Sequence, residues 1–242
     1  MSDVRPRRIW AVVPAAGVGR RMSSRIPKQY LALLGRAVIG WSLETVLADE
    51  RVAGAVVALG VEDGWWAHED FRSAKPVHRV DGGEERADSV LSALRYLADG
   101  VAGTDDWVLV HDAVRPCLTT GELRRLLDAG LAHDGGALLA VPVRDTLKRS
   151  GPGTVVTHTA SRDQLWQAQT PQLFPLRPLL AALEAARGAG DVVTDEAQAM
   201  ERAGFAPLLV EGESTNLKIT RPGDLPLAES ILRARRAEPG EE

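Results

Sequence analysis

The sequence predicts an α/β fold in which a doubly wound, mostly parallel sheet is covered by helices on both faces. Three observations predict it. Short β-rich runs alternate with longer amphipathic ones along the chain, the pattern of repeated strand–helix units. Several of the short runs are apolar throughout, as expected of strands buried on both sides. The 242 residues, 45% of them hydrophobic, supply enough apolar surface for one sizeable domain.

The elements follow in order. Ile9 to Val13, Ala55 to Leu59, Val77 to Val80, Trp107 to Val110, Ala137 to Val141 and Leu208 to Val210 read as strands. Between them lie helical patterns. In Glu84 to Leu97 the residues Ala87, Val90, Leu91, Leu94 and Leu97 form one apolar stripe. Thr119 and Glu122 make a capping-box pair ahead of Leu123, Leu126, Leu127 and Leu131. Arg221-Pro222-Gly223-Asp224 opens a last helix through Ala228, Ile231 and Leu232, and the tail from Arg235 to Glu242 reads as frayed. One segment breaks the alternation. Val143 to Ala160 holds a Gly151-Pro152-Gly153 turn between polar strands and reads as a projecting β-hairpin. A lone hairpin is marginal in water, so this arm is expected to pack on another surface, such as a second subunit. The whole of 1–242 is expected to be a single domain.

Composition excludes several classes. A net charge of −4 disfavours a non-specific nucleic-acid binder, which needs a basic excess. The single Cys117 rules out an intrachain disulfide and a cysteine-rich zinc module, and points to the cytoplasm. Arg5, Arg7 and Arg8 before an apolar stretch imitate a signal peptide, but Pro14, Gly17 and Gly19 interrupt it and arginines follow. No run approaches the ~20 apolar residues of a membrane span. Lysine occurs only at 28, 75, 148 and 218. In an arginine-rich chain such lysines fall preferentially where a compact ammonium is needed.

Chemistry gathers at strand ends. The first strand runs into Pro14-Ala15-Ala16-Gly17-Val18-Gly19-Arg20-Arg21-Met22, then Pro27-Lys28-Gln29-Tyr30. Small residues there let exposed N–H groups approach phosphate. Met22 stands where a dinucleotide fingerprint needs glycine, and Pro27 precedes Lys28 where a Walker A loop needs glycine. A nucleoside triphosphate held without a P-loop remains. The second cluster is Asp81-Gly82-Gly83-Glu84-Glu85-Arg86-Ala87-Asp88-Ser89. Its glycines bring backbone near a base or ribose, and Ser89, off the apolar stripe, is free to hydrogen-bond. Glu85 and Asp88 read as helix-start acids. The third cluster is His111-Asp112-Ala113-Val114-Arg115 after a buried strand. Asp112 suits Mg²⁺, Arg115 suits either Asp112 or a substrate phosphate, and His111 reads as structural. Ser161 to Gln172, Thr194 to Ala197 and Asn216 to Pro222 place further polar groups at element ends. Singly these read as structural.

Together the strings P-A-A-G-x-G-R-R-M with P-K-Q-Y, D-G-G-x-E-R-A-D-S-V, V-L-V-H-D-A-x-R-P-C, P-V-R-D-T-x-K-R, L-W-x-A-x-T-P-Q-x-F-P, T-D-E-A and N-x-K-x-T-R-P resemble the 2-C-methyl-D-erythritol 4-phosphate cytidylyltransferases. The resemblance runs in order from Ala11 to about Ala228. It implies a Rossmann-like nucleotidyltransferase domain with a β-arm that builds a homodimer. It implies CTP and a polyol phosphate as substrates and Mg²⁺ or another divalent cation as cofactor. By position, Ala15, Ala16, Gly83 and Ser89, with Glu84 beside them, would meet the cytosine. Gly17, Gly19, Arg21 and Lys28 would hold the triphosphate. Asp112 would serve the metal and the acceptor's hydroxyls. Arg115, Thr170 and Lys218 would meet the sugar phosphate, with Thr146 and Arg162 reaching in from the partner's arm. Arg21, Lys28 and Lys218 are the expected catalytic cations. A related enzyme acting on ribitol 5-phosphate is the nearest alternative. A silent nucleotide-binding regulator is disfavoured by the retained cations.

Overall fold

The structure, a computed structural model, describes residues 7–17 and 26–237. In chain order these form β1 (Ile9–Ala15), β2 (Ala32–Leu33), β3 (Arg36–Ala37), α1 (Val38–Ala48), β4 (Val52–Leu59), β5 (Val77–Asp81), α2 (Arg86–Tyr96), β6 (Trp107–Val110), α3 (Thr120–Leu131), β7 (Ala137–Pro142), β8 (Leu147–Ser150), β9 (Val156–Ala160), β10 (Trp166–Pro175), α4 (Leu176–Gly188), α5 (Glu196–Arg202), β11 (Leu208–Glu211) and α6 (Asp224–Ala237).

Seven strands make the main sheet in the order β11-β7-β10-β6-β1-β4-β5. β1 lies parallel to both β4 and β6, and β4 lies parallel to β5. β10 alone runs against its neighbours, β6 and β7. The predicted mostly parallel sheet is therefore present, with one reversed strand inside it. That strand was not anticipated. Pro171 and Pro175 lie within it, and proline within a run argues against a strand because it cannot donate to the ladder.

Alternation of side chains along β1 sends Ala11 and Val13 to one face, and Trp10 and Val12 to the other. The first face packs on α1 and α3 through Leu43, Leu123 and Leu126. The second packs on α2 and α4 through Val90, Leu94, Leu179 and Leu183. Both faces of these strands are covered, in keeping with the near absence of polar residues in β1, β4 and β6. A smaller cluster of Leu33, Val38, Val114, Cys117, Ile219 and Ala228 seats α6 against the start of α1.

Local signals explain the ends of elements. Thr119 and Glu122 form the expected capping box, and the buried Glu122 also accepts the Glu213 N–H at 2.8 Å. Asp224 accepts the N–H groups of Thr220 and Arg221 at the head of α6. The expected fraying from Arg235 is corrected: α6 continues to Ala237, and Arg235 donates to the Cys117 carbonyl at 2.6 Å and the Thr215 hydroxyl at 2.9 Å. Residues 238–242 lie outside the described residues.

β8 and β9 form a separate two-stranded sheet. This is the projecting arm, turned at Gly151 to Thr154. Val155 and Val156 are 68% and 56% exposed on it, so in the single chain the arm has no core of its own.

Candidate active site

The cleft lies beyond the C-terminal ends of β1 and β6, where the strand order reverses. Open α/β sheets bind ligands at such a switch point. It encloses about 210 Å³ and is lined from the β1 loop by Ala15, Ala16 and Gly17, from the α2 entry by Gly83, Glu84, Arg86 and Ser89, and by Lys28, Asp112 and Lys218. Nine expected site residues thus converge there: Ala15, Ala16, Gly17, Lys28, Gly83, Glu84, Ser89, Asp112 and Lys218. Gly19 and Arg21 lie outside the described residues.

Close packing joins the first two loops. A Cβ on Gly82 would come within 2.6 Å of the Ala16 Cβ and 2.8 Å of the Ser89 hydroxyl, so only glycine lets the β5–α2 turn lie against the β1 loop. Ser89 is buried, and its hydroxyl accepts the Gly83 N–H at 3.1 Å and donates to the Glu85 carbonyl at 3.3 Å. Expected to be free for ligand, this hydroxyl instead holds the turn together. Asp88 accepts the Glu85 N–H, the helix-start role expected of these acids. Gln29 was not singled out from sequence. Its buried amide donates to the Ala15 carbonyl at 2.7 Å and fixes the β1 loop from behind.

Lys28 stands on a short 3₁₀ turn after Pro27, and its ammonium donates to the Ile219 carbonyl at 3.2 Å. Lys218 pairs with Asp112 at 2.8 Å. Two of the chain's four lysines therefore meet at the cleft from segments far apart in sequence.

Asp112 is 5% exposed and surrounded by cations. Arg86 donates through Nε to Oδ1 at 2.8 Å, while Lys218 and Arg115 face Oδ2 at 2.8 and 3.6 Å. Burial alone would raise its carboxyl. The attraction of Arg86, Lys218 and Arg115 outweighs that and holds it well below the usual carboxylate range. Among the described residues no group of three or more His, Cys, Asp or Glu converges to hold a metal ion by itself.

Beneath the cleft, the Thr170 hydroxyl accepts the Asp112 N–H at 3.0 Å and donates to His111 Nδ1 at 3.1 Å. His111 Nε2 donates to the Arg115 carbonyl at 3.2 Å. Burial pushes His111 down to about 4, so its imidazole is neutral, and with Nε2 as the donor Nδ1 is the acceptor. His111 is structural, as its setting in sequence suggests. Thr170 and Arg115 are buried or nearly so, and neither lines the cleft. Arg115 is committed to the Asn216 carbonyl at 2.6 Å, and the Asn216 amide donates to the Thr170 carbonyl at 2.9 Å. Thr146 and Arg162 are exposed on the arm and its base, and neither lines this chain's own cleft.

A pH dependence follows from His111. An imidazole ionises near 6.5 in an unfolded chain and at about 4 here, so as pH falls the unfolded state takes up the proton first. The stabilisation is fully present above pH 6.5 and drains away between there and about 4, on the order of 3 kcal/mol in all. Asp112 is lowered, so its contribution fades only below the ordinary carboxylate range. The urea midpoint should therefore fall between pH 7 and 4.5 in the native chain and change much less in His111→Asn. An equal fall in both would refute the neutral, buried assignment.

A sequence profile described as 2-C-methyl-D-erythritol 4-phosphate cytidylyltransferase matches residues 9–234. The chain is 60% identical over 234 residues to the 2-C-methyl-D-erythritol 4-phosphate cytidylyltransferase of Halorhodospira halophila, covering 95% of this chain and 96% of that one. A crystal structure of 4-diphosphocytidyl-2C-methyl-D-erythritol synthase superposes with a TM-score of 0.82 at 37% identity, covering 94% of this chain and all 100% of that one. The Francisella tularensis 2-C-methyl-D-erythritol 4-phosphate cytidylyltransferase gives 0.80 at 33% identity, covering 93% and 99%.

Proposed function

The chain belongs to the 2-C-methyl-D-erythritol 4-phosphate cytidylyltransferase family, a CTP-dependent step of non-mevalonate isoprenoid biosynthesis, and we propose that CMP transfer takes place in the cleft beyond β1 and β6. The observation that carries this reading is the meeting of Lys28, Lys218 and Asp112 beside the paired small-residue loops.

An oxygen of the acceptor's phosphate is the nucleophile. It forms a bond to the α-phosphorus of CTP, and the α–β bridging bond breaks, its electron pair leaving with pyrophosphate. A phosphate monoester is largely dianionic at neutral pH, so no general base is required. That suits a cleft with cations and a neutral, buried His111. The obstacle is repulsion between two polyanions, and catalysis rests on alignment and charge stabilisation. In this reading Lys28 neutralises charge developing on the α-phosphate, with Arg21 on the triphosphate tail. Lys218, oriented by Asp112, draws in the attacking phosphate. Ala15, Ala16, Gly83, Glu84 and Ser89 frame the cytosine, and Gly17 and Gly19 leave room for the phosphates. Arg115 and Thr170 act on the sugar-phosphate side, by fixing the loop that carries Asp112.

Mg²⁺ takes one or two carboxylates and completes its shell from substrate phosphates and water. An ionised Asp112 at the cleft fits a metal that arrives with the triphosphate. Asp112 would hold it, and the metal would neutralise phosphate charge when bound. We further propose a homodimer through the arm, because Val155, Val156 and the neighbouring Leu165 and Trp166 are exposed on the single chain. Among the described residues no helix is long and apolar enough to cross a membrane. A cytoplasmic setting is proposed because the substrate is a nucleoside triphosphate.

The test is pyrophosphate release over a panel of triphosphates with 2-C-methyl-D-erythritol 4-phosphate and ribitol 5-phosphate. CTP should exceed ATP and GTP by about 10²-fold or more in kcat/KM, because the two small-residue loops lie close together at Gly82 and Ala16 beside a cleft of only about 210 Å³. UTP should also be disfavoured, on the reading that the backbone of these loops meets the edge of the pyrimidine. Comparable turnover with a purine triphosphate would contradict this account of the loops.

A further inference from the structure

We propose that Glu196, which does not line the cleft, is a positioning residue for the transfer: through Arg86 it sets the orientation of Asp112. The inference rests on the reading that CMP transfer takes place in this cleft.

The geometry is a relay of three side chains. Glu196 is 1% exposed, and its two carboxylate oxygens accept from the two terminal nitrogens of Arg86 at 2.7 and 3.0 Å. Arg86 spends its remaining nitrogen, Nε, on Asp112 Oδ1 at 2.8 Å. A guanidinium is planar and rigid, so fixing its terminal edge fixes the direction in which Nε points. The far edge is held by Glu196 and the near edge by the cleft carboxylate.

Glu196 is itself held on both sides. The preceding Asp195 caps α5 by accepting the Gln198 N–H at 2.9 Å and also accepts the Gln172 amide at 3.0 Å. The following Ala197 donates its N–H to the Gln172 side-chain amide oxygen, Oε1, at 2.9 Å. Gln172 lies on β10, two residues past Thr170, whose hydroxyl holds the Asp112 backbone. Asp112 is therefore fixed twice from one strand: its backbone through Thr170, and its carboxylate through Gln172, α5, Glu196 and Arg86.

Stability alone gives little reason for this arrangement. Removing two charges from water costs about as much as their attraction returns, and a well-packed apolar pair does as well or better. What an apolar pair cannot supply is a donor aimed at Asp112. The same short helix start accounts for the Thr194-Asp195-Glu196-Ala197 string, which otherwise has no part in the cleft.

The experiment compares native chain, Glu196→Gln and the paired apolar variant Arg86→Met/Glu196→Leu, each checked for folding by circular dichroism and thermal melting. Turnover is measured with CTP and 2-C-methyl-D-erythritol 4-phosphate, and CTP affinity by calorimetry. Native turnover tests the reading of the cleft; the ratio of variant to native tests the relay. Folded Glu196→Gln should lose about 10- to 100-fold in kcat, the scale of a small misplacement of a reacting group, with CTP affinity within about threefold. The apolar pair should recover native-like melting and lose at least as much turnover. If Glu196→Gln does not fold, the apolar pair decides. A folded form of either variant with kcat within threefold of native would overturn the proposal. So would a loss in Glu196→Gln that tracks its unfolded fraction.

Discussion

Lys28→Ala is expected to lower kcat by about 10³-fold or more and to shift the melting temperature by only a few degrees. The Lys28 ammonium lines the cleft and is steered by the Ile219 carbonyl. It is thereby aimed at a fixed point before any phosphate arrives. An ammonium so aimed stabilises charge that exists chiefly in the transition state, so its loss falls on kcat more than on CTP affinity. The fold depends on it little, because the 3₁₀ turn is held independently by Gln29 and by the Tyr30 hydroxyl on Asp63. Steady-state kinetics on purified variant, with circular dichroism to establish folding, is the check. Near-native turnover in a folded variant would remove Lys28 from the chemistry. Lys75→Ala is the matched control. Its ammonium donates to the carbonyls of Leu47 and Asp49 at the C-terminal end of α1, so the control should melt earlier and still turn over.

Mixing two inactive variants, Lys28→Ala and Arg162→Ala, should restore about one quarter of native activity once subunits exchange. Arg162 is exposed at the base of the arm and does not reach its own cleft. If the arm of one subunit completes the site of the other, a mixed dimer has one site carrying both lesions and one carrying neither. Equal amounts give mixed dimers in half the population, each with half its sites intact. If Arg162 instead serves its own chain, every site in the mixture carries one lesion. No activity returns in that case. Exchange is followed by native mass spectrometry of differently tagged chains. Demonstrated exchange without recovery would end the shared-site arrangement, and with it the proposed role of Thr146 on the same arm.

Much of this was legible in the sequence because it depends on local grammar. Apolar runs gave β1, β4 and β6, the Thr119–Glu122 spacing gave the head of α3, and the Gly151-Pro152-Gly153 turn gave the arm. Most cleft-lining residues were legible because they stand directly after strands or at the start of helices; Lys218, between β11 and α6, is the exception. What escaped depends on distant pairing. β10 was missed because its prolines sit where the ladder tolerates them, and nothing local announces that. Gln29 and Glu196 are polar residues that fold into the interior, and their partners Ala15 and Arg86 are 14 and 110 positions away. Ser89 lines the cleft, yet its hydroxyl is taken by Gly83 and Glu85, a commitment no stripe pattern reveals.

The bond from Lys28 to the Ile219 carbonyl spans 191 positions, and it bears on how the enzyme is made. On the ribosome, the β1 loop, the turn before α2 and the strand before Asp112 emerge well before residues 216–219. Until those follow, Asp112 lacks Lys218, Arg115 lacks the Asn216 carbonyl, and Lys28 lacks its guide. The cleft is thus completed near the end of synthesis, by contacts that close very long loops and are slow to form. A chain cut short before Asn216 contains the residues of every strand of the sheet yet lacks the ammonium opposite Asp112. On the proposed assignment of Lys218, an incomplete chain would therefore lack a complete site for nucleotide transfer.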